Sequence, residues 1–446
     1  MREAASVCER WREGAGGDCP GAALSVQDLM MADYFDTLET RDPELRERAQ
    51  LAALPAQIAH AKAHAPAYAR LLADVDPGEV SSRAALSRLP VVRKSDLQEL
   101  QRSDRPFGGL ATVAWGDATL VFASPGPIYE PEGRDVDYWR LARALHAAGF
   151  RAGDLVHNCF SYHFTPGGAM LESGAHALGC TVFRGGTGQT EQQLEAMIDL
   201  RPDGYVGTPS FLKIILEKAD ERRLTVPSLR KALLSGEAVP TSFRDALSGR
   251  GICAYQVYAT ADVGSIAYES DAREGLIVDE GILVEIVRAG TGDPVAPGEV
   301  GEVVVTLLRN QDYPLIRFGT GDLSAIVASS LSTASPCGRT NMRIKGWMGR
   351  ADQTTKVKGM FVHPSQIAAI VARHPGIAKA RLVVDNPKGA DTMTLHVEVS
   401  DGDSSPREAI VASIREVTKL RGEVAIRAPG ELANDGKVID DVRRYD

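Results

Sequence analysis

From Asp42 to Leu72 the residues Leu45, Leu51, Leu54, Ile58, Ala61 and Ala65 recur at helical spacing, which predicts a helix buried along one face. Pro66 and the run Asp76-Pro77-Gly78 punctuate it. The segment Leu89 to Leu97 reads as a short extended piece, then a helix opened by Ser95 as N-cap. Thr119 to Ala123 is strand-like and runs into a turn at Ser124-Pro125-Gly126-Pro127. An alternation follows: helix Asp135 to Ala148, strand Asp154 to Asn158, helix Gly168 to Leu178, strand Thr181 to Phe183, helix Glu191 to Leu200, strand Gly204 to Gly207. Leu229 to Leu234 and Ala254 to Val257 add strands, and such alternation implies a largely parallel sheet wrapped by helices.

After Glu280 the pattern changes. Ile282 to Val287 and Gly301 to Leu307 read as antiparallel strands between Gly/Pro turns. The last part gives a helix from Pro364 to Arg373, strands from Lys379 to Val384 and Thr392 to Val399, a helix from Arg407 to Lys419, and a strand from Glu423 to Arg427. The expected fold class is α/β. A large N-terminal domain of helix-wrapped, largely parallel sheets with a β-rich subdomain (31–348) precedes a small mobile α+β domain (353–446), with a hinge at 349–352. Gly349 and Gly359 bracket the joint, where glycine absorbs backbone rotation at low steric cost. A β-hairpin with a polar turn reads equally well there. Residues 1–30 lack periodic apolar positions and are expected to form a disordered tail.

At 446 residues the chain is too long for one hydrophobic core. Its net charge of −9 argues against nucleic acid or an anionic membrane as main partner, though not against a nucleotide. The six cysteines show no pairing rhythm, which suits reduced thiols in a cytoplasm. No apolar run is long enough to span a membrane, and the first residues lack the apolar core of a secretory signal.

Taken singly, the candidate chemical groups have ordinary readings. Asp322, on the turn Thr320-Gly321-Asp322, could accept both hydroxyls of a ribose or simply shape a turn. Tyr258-Ala259-Thr260-Ala261-Asp262 could stack a base and hold Mg²⁺, or cap a strand. Lys356 and Lys437 read by themselves as solvated surface lysines.

As an ordered set, these residues resemble the adenylate-forming acyl-CoA ligase superfamily, most closely its phenylacetate–CoA ligase branch. The resemblance rests on Leu89-Pro90 with Lys94-Ser95-Asp96-Leu97, Gly153 to Asn158, Phe164-Thr165 with Gly167-Gly168, and Thr208-Pro209-Ser210. It continues through Tyr258 with Asp262, Pro314-Leu315-Ile316-Arg317 with Asp322, Cys337-Gly338-Arg339, Gly349-Arg350 with Asp352, and Gly436-Lys437. The resemblance implies a two-step reaction. A small carboxylic acid attacks ATP to give an acyl-adenylate and pyrophosphate, the C-terminal domain swings, and CoA then displaces AMP. It implies Lys437 as the charge donor of the first step, Asp352 as the hinge, and Lys356 on the loop that faces the site in the second step. Asp322 and Arg350 would hold the ribose, and Tyr258 with Ala259 and Thr260 would hold the adenine, with Gly236, Glu237 and Ala238 along its edge. Asp262 would bind Mg²⁺. The acid pocket would be lined by Tyr162, His163, Phe164, Gly168 and Ser235.

Departures from the family pattern are as informative. The family's phosphate loop, Ser-Ser/Thr-Gly-Thr-Thr-Gly-Lys-Pro, reads here Ser124-Pro125-Gly126-Pro127-Ile128-Tyr129-Glu130-Pro131. Two prolines remove amide donors, and Glu130 puts a negative charge in the lysine's place. Of the zinc ligands found in some relatives, Glu269-Ser270, Ile277 and Ser335-Pro336-Cys337 retain one, so no structural zinc is expected. Two functional classes follow: an AMP-forming acid–CoA ligase, or a non-catalytic relative that binds an acyl group or nucleotide. Transfer of the acyl group to another acceptor would share the first step. The resemblance leaves open an aryl acid such as phenylacetate or benzoate, a short branched hydroxy acid such as 2-hydroxyisobutyrate, and a homodimer.

Overall fold

The computed structural model describes residues 34–124, 126–288, 291–351, 353, 355–387, 390–399, 407–432 and 438–443. The expected tail, Asp352 and Lys437 lie outside the described residues. The helix Pro43–His64 starts where the Asp42 carboxylate accepts from the amides of Glu44 and Leu45, at 2.9 and 3.0 Å. It buries Leu54, Ile58 and Ala61 and yields at Ala65 to a second helix, Pro66–Leu71, which proline opens.

Strand β1 (Val92–Arg93) lies parallel to a later strand through the pairs Val92–Phe318 and Arg93–Gly319. That pairing holds Arg93 extended, so the next helix, Lys94–Ser103, begins at Lys94 rather than after Ser95. Strands β2 (Leu120–Ser124) and β3 (Ile128–Glu132) form an antiparallel hairpin in which Phe122 pairs with Glu130 and Ser124 with Ile128. The expected helix from Asp135 to Ala148 shrinks to Ala142–Ala147. Asp137 and Arg140 take left-handed φ values of 55° and 59°, and a helix cannot pass through them.

Strands β4 (Leu155–Asn158), β5 (Thr181–Arg184), β6 (Gly204–Gly207), β7 (Lys231–Leu234) and β8 (Cys253–Thr260) pair in parallel in the order β5-β4-β6-β7-β8. Helices Gly167–Ala177, Thr190–Leu200, Pro209–Glu221 and Thr241–Gly249 supply the crossovers. Strands β9 (Gly264–Tyr268) and β10 (Leu276–Val278) extend this sheet antiparallel. A second sheet holds β11 (Ile282–Val287), β12 (Gly301–Leu307) and β13 (Phe318–Ser324), with β1 on its edge. Strand β14 (Arg343–Ile344) pairs with β10, and β15 (Gly349–Arg350) pairs with β13, setting Arg350 opposite Asp322.

Beyond the joint, β16 (Thr355–Val357) and β17 (Met360–Val362) form a hairpin that turns at Lys358 and Gly359, both at positive φ. Strands β18 (Ile377–Asp385), β19 (Thr392–Val399), β20 (Glu423–Arg427) and β21 (Ile439–Asp441) make a sheet of order β20-β19-β18-β21. Helices Pro364–Ala372 and Arg407–Thr418 cover it, and Val357, Ile367, Leu382, Leu395, Ile410 and Ile414 share one apolar core. Val438 donates its amide to Gln353 Oε1 at 2.7 Å, and Arg443 donates to the Lys356 carbonyl at 2.8 Å. No helix among the described residues is long and apolar enough to cross a membrane, and the four described cysteines are free thiols.

Candidate active site

In an open α/β sheet, ligands gather at the carboxyl ends of the parallel strands. Strand β8 delivers Tyr258 there, and β13 delivers Asp322 from the second sheet. The Tyr258 hydroxyl donates to Asp322 Oδ2 at 2.9 Å. Asp322 Oδ1 accepts from Arg350 Nη1 at 2.9 Å and from Trp347 Nε1 at 3.2 Å. Burial raises the Tyr258 phenol far above its ordinary pKa, with the Asp322 carboxylate adding to the effect, so it stays a neutral donor. Gly321 must be glycine, since its φ is 74° and a Cβ would stand 2.6 Å from Arg350 Nη2. The expected ribose pair, Asp322 and Arg350, is thus in direct contact. Trp347 was absent from the sequence reading, because an indole between two short strands carries no periodic signal.

Across the site, Lys356 Nζ donates to the Gly236 carbonyl at 2.8 Å. Burial pulls the Lys356 pKa down, and Glu237 partly offsets this. The Glu237 carboxylate accepts from the Ser210 amide and hydroxyl, at 3.2 and 3.0 Å, which orients the Gly236-Glu237-Ala238 segment. Ala259 and Thr260 end β8 half-buried, and Thr260 Oγ1 accepts from the Val263 amide at 3.3 Å.

Asp262 is buried and accepts from Lys94 Nζ through Oδ2, whereas its Oδ1 has no hydrogen-bond partner among the described residues. Such an orphaned carboxylate oxygen fits a divalent cation. Burial pulls the Lys94 pKa down, yet Asp262 and Glu130 together raise it above its ordinary value. Lys94 belongs to the Lys-Ser-Asp-Leu motif, and its place after an edge strand is what turns it inward. The expected phosphate loop is corrected here. Ser124 and residues 128–131 are strand, and only 125–127 connect them. Glu130 is not presented to solvent. It is fully buried in β3 and accepts from the Ser124 hydroxyl, and from the Ser124 amide at 3.3 Å. Burial, with Asp262 nearby, pushes its carboxyl up to about 8.

In the expected acid pocket, the Tyr162 hydroxyl donates to Glu172 Oε2 and accepts from Asn158 Nδ2, both at 2.9 Å. The Ser235 hydroxyl donates to the Val257 carbonyl at 2.8 Å. Gly168 packs against the Tyr162 ring, where a Cβ would come within 2.9 Å. His163 and Phe164 are exposed rather than enclosed, a correction to their expected lining role. The left-handed φ of 60° at Phe164 turns its side chain outward, leaving it 81 % exposed. Glu172 has no signal in the sequence, and Asn158 carries a motif but no role, because their contacts to Tyr162 arise only when β4 and its following helix meet. At the positions compared with a zinc site, the Cys337 thiol donates to the Ser335 hydroxyl at 3.2 Å.

Residues 137–306 match the AMP-binding enzyme family. The phenylacetate–coenzyme A ligase of Thermus thermophilus is 32 % identical over 385 residues, covering 82 % of this chain and 84 % of that protein. The phenylacetate–coenzyme A ligase of Aromatoleum evansii is 30 % identical over 368 residues, covering 79 % and 81 %. Among solved structures, 2-hydroxyisobutyryl-CoA ligase with 2-HIB-AMP and CoA in its thioesterification state superposes with a TM-score of 0.78. It is 25 % identical and covers 97 % of this chain and 96 % of that one. The same enzyme in its postadenylation state with 2-HIB-AMP gives 0.68. With this likeness spanning most of the chain, and the residues expected to hold the nucleotide gathered at the ends of β8 and β13, the chain belongs to the adenylate-forming acyl-CoA ligases, on the phenylacetate–CoA ligase branch, and is an AMP-forming carboxylic acid–CoA ligase.

Proposed function

We propose that the acid is an aryl acid of the phenylacetate class. One observation carries this: the hydroxyl protons of Tyr162 and Ser235 are both already donated within the protein. Neither is left to donate to a substrate hydroxyl, and a pocket that rewards a hydroxyl needs such a group. The names of the Thermus and Aromatoleum relatives point the same way. Asp322 and Arg350 bind the ribose, and Tyr258 with the 236–238 segment holds the adenine. Mg²⁺ binds at Asp262, where it would supply positive charge to the phosphates.

Domain alternation about 349–352 orders the two half-reactions. Lys437 stabilises charge in adenylation, and Lys356 enters for thioester formation. The Lys356–Gly236 contact, and the higher TM-score to the thioesterification state than to the postadenylation state, support the second position as the one seen here.

A panel of acids with ATP, Mg²⁺ and CoA tests the reading. AMP, pyrophosphate and an aryl-acyl-CoA are expected. ADP as product overturns it, as does a preference for 2-hydroxyisobutyrate over phenylacetate.

A further inference from the structure

We propose that the Trp347 indole is a stand-in for a ribose hydroxyl. It fills a place on Asp322 that the nucleotide needs, so AMP binds by displacing it and is released more readily when it returns. The inference rests on the ribose role of Asp322 and adds to it a residue that competes with the ligand.

A carboxylate offers about four acceptor positions, two on each oxygen. On Asp322 three are filled. Oδ1 accepts from Arg350 Nη1 at 2.9 Å and from Trp347 Nε1 at 3.2 Å, and Oδ2 accepts from the Tyr258 hydroxyl at 2.9 Å. Among the described residues one position is left, on Oδ2. Two neighbouring ribose hydroxyls held by one carboxylate need two positions, so one of the three donors has to yield.

Trp347 yields at least cost. Its bond is the longest of the three. Arg350 brings a full charge, and its Nη1 also donates to the Thr320 carbonyl at 2.9 Å. Tyr258 is buried, so its hydroxyl has no water to turn to. Trp347 is 37 % exposed, and its N–H can pass to solvent. Its backbone is also free to adjust. Gly346 and Gly349 flank Trp347 and Met348 at φ 84° and 141°, in a region that glycine enters at little steric cost. Between turnovers the indole keeps the carboxylate paired. As AMP departs, the N–H takes the vacated position, which loosens the hold on the product.

Calorimetry of the full-length protein with AMP and with 2′,3′-dideoxy-AMP, which lacks both hydroxyls, tests this. Trp347→Phe keeps an aromatic ring and removes the N–H. It is expected to bind AMP about 3–10-fold more tightly than wild type, with affinity for the dideoxy nucleotide unchanged, because that ligand displaces nothing. A role in packing alone would move both affinities together. If Trp347→Phe does not fold, wild type labelled with ¹⁵N at its four indoles serves. AMP is then expected to shift one indole N–H resonance that dideoxy-AMP leaves in place. AMP affinity unchanged or lower in Trp347→Phe, equal changes for the two nucleotides, or indole spectra that do not tell them apart, overturns the proposal. Wild type and variant that prefer AMP by the same factor defeat the stand-in and spare the ribose role. No preference for AMP in either protein defeats the ribose role itself.

Discussion

Lys356 Nζ stands 2.8 Å from the carbonyl oxygen of Gly236, a contact between residues 120 apart in the chain. It joins the β16–β17 hairpin, just past the proposed hinge, to the loop after β7, so it depends on how the C-terminal part is seated. Lys356→Ala is expected to slow conversion of a supplied acyl-adenylate and CoA into thioester by about 10²–10³-fold, the usual cost of a lost charge-stabilising donor. Pyrophosphate release from ATP and acid should stay close to wild type. Rapid-quench measurement of both half-reactions checks this, and equal slowing of the two would count against a state-specific contact.

Asp322 receives Tyr258, Trp347 and Arg350 at once. Its removal takes the carboxylate from a half-buried guanidinium that keeps its bond to the Thr320 carbonyl, and leaves the buried Tyr258 hydroxyl without its acceptor, at a cost of about 1–3 kcal/mol. Asp322→Ala should therefore lower the unfolding free energy in a urea titration and abolish AMP binding by calorimetry. Asp322→Asn keeps a hydrogen-bonding oxygen and should retain more of both.

Asp137 carries the pH prediction. Its Oδ1 accepts from the amides of Leu141 and Ala142, at 2.7 and 3.2 Å, and burial still pushes its pKa up to about 6 from an ordinary 3.8. A carboxyl whose folded pKa is raised binds its proton more tightly when folded. The stability it confers is full below pH 3.8 and is lost as pH rises through about 6. The change is on the order of 1–3 kcal/mol for this half-buried group. Asp137→Asn should flatten that slope in thermal melts between these limits.

Gly168 limits the acid pocket. An added Cβ would come within 2.8 Å of the Ser161 carbonyl oxygen and 2.9 Å of the Tyr162 ring. The backbone oxygen cannot yield easily, so Gly168→Ala should displace the ring. The KM for the acid is then expected to rise about tenfold, equivalent to about 1.4 kcal/mol, while the KM for ATP barely moves. Steady-state kinetics with each substrate varied in turn separates the two.

Much of the fold was legible because apolar periodicity is strong where strands are buried. Ile282–Val287, Gly301–Leu307, Thr392–Val399 and Glu423–Arg427 have the bounds that their apolar, β-branched runs between turn residues imply. Where the backbone takes left-handed turns at ordinary residues, as at Asp137 and Arg140, side-chain pattern carries no warning, and the helix was read too long. Motif order brought out Asp322, Arg350, Tyr258 and Lys356. It misread Glu130, because alignment to a loop motif says nothing of register, and the pairing of Phe122 with Glu130 turns that carboxylate into the protein. Lys94 carried a motif but no role until β1 set its direction.

The tie between Gln353 and Val438 couples two distant stretches of sequence. Val438 follows Lys437 directly, and Arg443 grips the backbone of Lys356 itself. Under the proposed domain alternation the two lysines would ride on one rotor, not on two independent arms, and a single equilibrium would set how often each is at the centre. Any substitution that raises the occupancy of one position would lower the occupancy of the other by the same amount. Turnover should thus peak at an intermediate bias, and variants that speed one half-reaction through seating alone should be slower enzymes.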